Sequence, residues 1–113
     1  MNKPFELFKS LGEENRFRIA ALLVHAKREL CACEIIAALE KPQYTISKSM
    51  STLAAAGLIE ERRDGKMMLY RLKTEDSCVN DLADTIGRMI SAKGYTWKND
   101  LAKLGSKSPI SCG

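Results

Sequence analysis

Apolar residues recur at helical intervals along most of the chain and alternate over only one short stretch. Phe5, Leu7, Phe8 and Leu11 follow Pro4 at helical spacing and stop at Gly12, which predicts a short amphipathic helix opened by a proline in its first turn. From Glu14 onward, Phe17, Ile19, Ala20, Leu22, Leu23 and Val24 cover most of a helix circumference, so a central helix buried on several sides is expected at about 14–26. Beyond the polar Lys27-Arg28-Glu29, the spacing of Ile35, Ile36 and Leu39 predicts a short helix over 33–40. Lys41-Pro42 breaks it. Thr45 to Ala56 then restarts a helix with Ile46, Met50 and Leu53 inward, Ser47, Lys48 and Ser51 outward, and Gly57 just past its end. Two helices joined by a turn of about four residues give a helix-turn-helix outline.

The alternating stretch follows. Leu58 to Arg63 and Lys66 to Leu72 flank Asp64-Gly65, the dipeptide preferred by a two-residue type I′ hairpin turn. That register sets residue 63 opposite 66, 61 opposite 68 and 59 opposite 70, with Ile59 and Tyr70 on the buried face. It also sets Arg63 against Lys66, a like-charge pair that an anion between them would relieve. A basic-tipped hairpin after a helix-turn-helix is the winged form of that motif. From Thr74, Val79, Leu82, Ile86, Met89 and Ile90 form the apolar stripe of a fifth helix, which Gly94-Tyr95 interrupts before Trp97 to Leu104. A terminal amphipathic helix in so small a domain is expected to pair with a copy of itself.

Composition narrows the function. With 113 residues, 45% of them hydrophobic, the chain has room for one domain, expected over 1–104, with 105–113 as a flexible tail. The longest apolar run, Ile19 to Val24, is far short of the ~20 residues that cross a bilayer. The opening MNKPFELFKSLGEENRF carries no export signal, so a cytoplasmic location is expected. Residues 41–73 hold seven basic side chains against three acidic ones, an excess equal to the net +4 of the whole chain. A neutral body with its surplus charge in one stretch suits a polyanion surface. The four cysteines, Cys31, Cys33, Cys78 and Cys112, are expected as reduced thiols, able to bind soft metals or sense oxidants.

Residues 5–72 resemble the ArsR/SmtB family of winged-helix metalloregulatory repressors. The resemblance is carried by FKSLGEENRFRI, by ELCACEI ahead of the helix-turn-helix, and by YTISKSMSTLAAAGLIEERRDGKMMLYRL as recognition helix and wing. The Cys-x-Cys within ELCACEI is similar to that of the arsenite- and antimonite-responsive branch. The resemblance implies a mainly α fold with a small β-hairpin, five helices plus wing. It also implies a homodimer on operator DNA that is released when As(III) or Sb(III) binds Cys31 and Cys33. Both cysteines sit at an expected helix N-terminus after Lys27 and Arg28, where the dipole favours thiolate. In a regular helix, however, residues i and i+2 point about 200° apart, so chelation requires an irregular first turn.

The branch with three clustered cysteines has its third where this chain has Ile36, so Cys112 or Cys78 could be the third ligand, or a two-thiolate site would serve a methylated arsenical or leave one position to water. It also keeps open a redox or persulfide switch, and cadmium, lead or copper(I) as the thiolate-bound species. The match to the family's recognition helix carries over Gln43, Thr45, Ser47, Lys48, Ser49 and Ser51 as the exposed DNA-facing set, with Tyr44 and Met50 as packing residues. Arg62, Arg63 and Lys66 of the wing are expected to meet phosphate. An enzyme is disfavoured: a thiol oxidoreductase would carry Cys-x-x-Cys in a βαβ setting, and no such pattern is present.

Overall fold

The computed structural model describes residues 3–104. Among these the chain forms six helices and a three-stranded antiparallel sheet: α1 (Lys3–Leu11), α2 (Glu14–Ala26), β1 (Leu30–Cys31), α3 (Ala32–Leu39), α4 (Gln43–Ala55), β2 (Ile59–Asp64), β3 (Met67–Leu72), α5 (Ser77–Ile90) and α6 (Lys98–Leu104). This is a winged helix-turn-helix, mainly α with a small β element, as expected.

Helix α2 is the axis of the core. Its Arg18 to Leu23 are all buried, with α1, α3, α4, α5 and α6 packed around it. Glu13 caps its start by accepting from the backbone N–H groups of Asn15 and Arg16 at 3.0 Å, satisfying two of the donors a helix leaves open. Its end turns on Lys27, held at φ 55°, whose N–H donates to the Leu23 carbonyl. Glu40 ends α3 in the same way, at φ 56° with its N–H on Ile36, and the chain passes through Pro42 straight into α4. Both turns rest on non-glycine residues in the left-handed region, a conformation seen in only a few per cent of such residues.

The structure departs from the sequence reading in several places. The strand β1 was not expected: at two residues it is too short to leave a periodicity, and it exists because β3 offers it an edge, with Leu30 opposite Tyr70 and Cys31 opposite Leu69. The wing turn is Gly65-Lys66, not Asp64-Gly65, so Asp64 pairs with Met67, Arg63 with Met68 and Ile59 with Leu72. Gly65 sits at φ 64° as the first turn residue while Lys66 keeps a negative φ, as a type II′ turn requires. The expected like-charge pair of Arg63 and Lys66 is therefore absent. Helix α4 starts two residues early, at Gln43, because Pro42 can cap a helix as readily as break one. Helix α5 starts three residues late, at Ser77, because Asp76 accepts from the N–H groups of Cys78 and Val79 and so fixes the cap.

The expected break at Gly94-Tyr95 makes α6 a separate sixth helix where five were anticipated. It lies against α3 and α2. Its anchor is Asp100, which takes both Nε and Nη2 of Arg18 at 2.9 Å in a buried bidentate pair. Arg18 also donates to the Leu39 carbonyl at the end of α3, and it lies over the Trp97 ring, 5.7 Å from its centre. Lys103 pairs with Glu40. The C-terminal end of α3 is thus clamped from two sides.

Candidate functional site

Cys31 belongs to two elements at once. It is the last residue of β1, opposite Leu69 of the wing, and it is the N-cap of α3, with extended φ and ψ of −85° and 158°. That extended cap is the irregularity the spacing demands. Because Cys31 is not yet helical, its side chain need not diverge from that of Cys33 in the first turn, and the two Sγ atoms stand 2.8 Å apart. Two bonds of about 2.3 Å, the length of a zinc–thiolate bond, span more than that separation, so one thiophilic atom fits both sulfurs. Cys31 is fully buried and Cys33 half-buried, and Cys33 stands in a disulfide, so the expectation of reduced thiols is corrected at this position and its sulfur becomes a metal ligand only after reduction.

Charged groups hold this junction. Glu34, in the first turn of α3, accepts the Cys31 N–H at 3.0 Å, and Arg28 pairs with the same carboxylate at 3.0 Å while also donating to the Glu29 carbonyl. Glu29 in turn binds Arg62 of β2 through two contacts of 2.6 and 3.0 Å. That guanidinium hydrogen bond holds the Glu29 carboxyl below the usual carboxylate range. Cys31 is thus joined to the wing by its pairing with Leu69 and by the contacts that run through Glu34, Arg28 and Glu29 to Arg62, and to the helix-turn-helix through α3.

Among the described residues, no third His, Cys, Asp or Glu joins Cys31 and Cys33 in a metal-holding group. Cys78, the other third-ligand candidate, lines the groove between α1 and α5 with Leu7, Phe8 and Leu82. Cys112 lies outside the described residues. Ile36 is half-buried against the core, a packing residue.

The recognition helix presents a clean division. Ile46, Ser49, Met50 and Leu53 are buried, while Tyr44, Ser47, Lys48 and Ser51 form the opposite, exposed stripe at spacings of three and four. Gln43 is exposed at its head and Thr45 is half-buried. Ser49 is 7% exposed, so its expected place on the outer face is corrected: it is one turn on from Ile46 and turns inward with it. Tyr44, expected to pack, is 75% exposed. The i, i+3, i+4, i+7 relation of 44 to 47, 48 and 51 was the available signal; its aromatic character outweighed it.

Arg62, Arg63 and Lys66 are all exposed on the wing, but not equally available. Arg62 is committed to Glu29. Arg71, at the wing's base, is held by Glu60 and by Glu75, whose carboxyl its hydrogen bond pulls down to about 2. Lys48, Arg63 and Lys66 have no ion-pair partner among the described residues. These three are the open cations of the recognition helix and the wing tip.

Comparison with known proteins places this geometry in a lineage. The profile described as "Bacterial regulatory protein, arsR family" matches residues 14–61. An arsenic resistance transcriptional regulator of Pseudomonas putida is 33% identical over 116 residues, covering 96% of this chain and 87% of the relative. A second from the same organism is 41% identical over 75 residues, covering 66% of this chain and 64% of its own length, so the match spans less than two thirds of that relative. Among solved structures, a homodimeric winged helix-turn-helix DNA-binding domain from Mycobacterium bovis, titled a possible ArsR-family regulator, superposes with a TM-score of 0.67 at 28% identity, covering 80% of each chain. A relative one third identical along nearly its whole length, added to a family profile centred on the helix-turn-helix, settles the lineage: the chain belongs to the ArsR family of bacterial transcriptional regulators.

Proposed function

We propose that this chain is a homodimeric repressor whose hold on operator DNA is released when a trivalent arsenical, or the antimony equivalent, is bound by Cys31 and Cys33. The observation that carries the reading is the 2.8 Å approach of the two sulfurs at a residue shared by the wing sheet and the cap of α3. Arsenous acid condenses with thiols one at a time, each As–S bond forming as one hydroxyl leaves as water with the thiol proton. Two bonds of about 2.3 Å at a pyramidal angle hold the sulfurs wider apart than 2.8 Å, so seating one atom between them reorients Cys31 and strains its pairing with Leu69 and its cap of α3 together. The C-terminal end of α3 is clamped by Arg18, Asp100 and Lys103, so the strain is expressed at its N-terminal end and in the wing.

Cys112 is the third thiolate in this reading. Helix α6 packs on α3, and its last residue, Leu104, precedes Cys112 by eight residues. Eight residues span at most about 27 Å, whereas an eight-residue helix is about 12 Å long, so the length of chain between Leu104 and Cys112 suffices for a third bond within one protomer. Exposed Phe5 and Phe8 on α1 and Met89 on α5, with the groove that Phe8 lines beside Pro4 and Leu82, supply the apolar surface for a second copy; the homodimeric neighbour supports the same assembly.

Fluorescence anisotropy on the protein's own upstream DNA tests the reading, with the reduced chain titrated by arsenite, phenylarsenite, cadmium and a persulfide donor. Arsenicals should release the wild type and leave a Cys31→Ser/Cys33→Ser variant bound. Cys112→Ser should lose affinity for arsenite and keep it for phenylarsenite, which offers arsenic only two open positions. Release by cadmium or the persulfide alone would replace the arsenical as inducer.

A further inference from the structure

We propose that Tyr44 is a base-reading residue of the DNA interface, placing its ring against a thymine methyl group in the major groove. The inference rests on the DNA-binding reading and adds a specificity determinant to it. Among the described residues, four large apolar side chains are exposed: Phe5, Phe8 and Met89 belong to α1 and α5, and Tyr44 alone stands elsewhere, in the first turn of α4. There it heads the stripe that continues through Ser47, Lys48 and Ser51, with Gln43 beside it. A tyrosine left three-quarters exposed contributes little to the core, whereas its rigid, amphipathic ring gives much contact area in an interface.

The chemistry of the stripe selects the target. Gln43 and Lys48 offer hydrogen bonds matched to adenine and guanine edges, and the serines offer short donors and acceptors. None of them provides an apolar surface. Thymine is the base that carries an apolar group into the major groove, and Tyr44 supplies the complementary surface. Because the N-terminal residues of a recognition helix are those that approach base edges, the ring is at the end of α4 where such a contact is made.

The full-length chain is used to select duplexes from a random pool. Binding to the selected duplex and to a scrambled one is then measured for the wild type, Tyr44→Phe and Tyr44→Ala. Each thymine of the selected duplex is also replaced in turn by uracil, which lacks the methyl group. Tyr44→Ala, at an exposed helix position where alanine is well tolerated, should keep the wild-type melting profile and scrambled-duplex affinity. It should lose roughly tenfold on the selected duplex. Tyr44→Phe should behave as wild type. One thymine-to-uracil change should weaken the wild type and leave Tyr44→Ala unaffected. Equal sensitivity of wild type and Tyr44→Ala to every uracil substitution would overturn the proposal. So would a Tyr44→Phe loss shared by both duplexes, since that would make the hydroxyl a phosphate contact. A wild type that selects no duplex would remove the DNA-binding reading itself, and Tyr44's role with it.

Discussion

Asp100 and Arg18 are the most exacting pair of side chains in the molecule. Their side chains are 4% and 10% exposed, and removing one member strands the other's charge in the interior. Asp100→Ala should therefore cost about 3–5 kcal/mol in a urea melt, whereas the double replacement Arg18→Met/Asp100→Leu should cost clearly less, because no charge remains to be stranded. A single variant as mild as the double one would show that water reaches the site. This pair was not legible in the sequence, since 82 residues separate its members and neither carries a local pattern. Cys31 and Cys33 were legible as a motif. Their convergence was not, because it depends on Cys31 taking an extended cap conformation imposed by a strand two residues long.

At the scale of elements, the wing divides its cations. Arg63 has no ion-pair partner among the described residues and Arg62 is held by Glu29, so the two should differ in a salt titration of DNA binding. Arg63→Ala should reduce the slope of log K against log salt by about 0.9, the value for one phosphate released; Arg62→Ala should change it by less. Equal reductions would mean that the Glu29 pair opens on the duplex. The hairpin's existence was readable from its alternation, while its register was not: Asp64-Gly65 and Gly65-Lys66 both satisfy a two-residue turn, and only the cross-strand pairing decides. Helix α6 yields a pH prediction. Burial first, and then the negative field of Asp100, push the Tyr95 phenol up to about 12. An unfolded tyrosine titrates near 10, so the folded state keeps its proton more tightly. Tyr95's share of stability is complete below pH 10 and is lost as pH rises toward 12. Denaturant melts across that window should show the decline, and Tyr95→Phe should flatten it. A residual slope should remain from Tyr70, which burial also raises.

For the whole molecule, the proposed assembly rests on the exposed Phe5 and Phe8 of α1 and Met89 of α5. Phe8 is 63% exposed, and a charge placed there should split the proposed dimer: Phe8→Glu should sediment as a monomer, melt cooperatively at a temperature independent of protein concentration, and bind operator DNA far more weakly, having lost its second half-site. A dimeric Phe8→Glu would move the interface elsewhere. Fold class was visible in the chain because long amphipathic periodicities survive any tertiary context, whereas the α5 stripe expected to pair with a copy has Val79, Ile86 and Ile90 buried in the chain's own core and leaves only Met89 exposed; the strand β1 and the clamp on α3 arise only from that context. The burial of Cys31 also has a consequence in time. On the proposed mechanism, an incoming arsenical meets half-buried Cys33 first and waits for the β1 edge to part from Leu69 before the second bond closes. The release rate should then level off with rising inducer concentration, at the frequency of that opening. Such a repressor ignores a brief pulse of inducer, however concentrated, and answers a sustained one: it measures duration as well as dose.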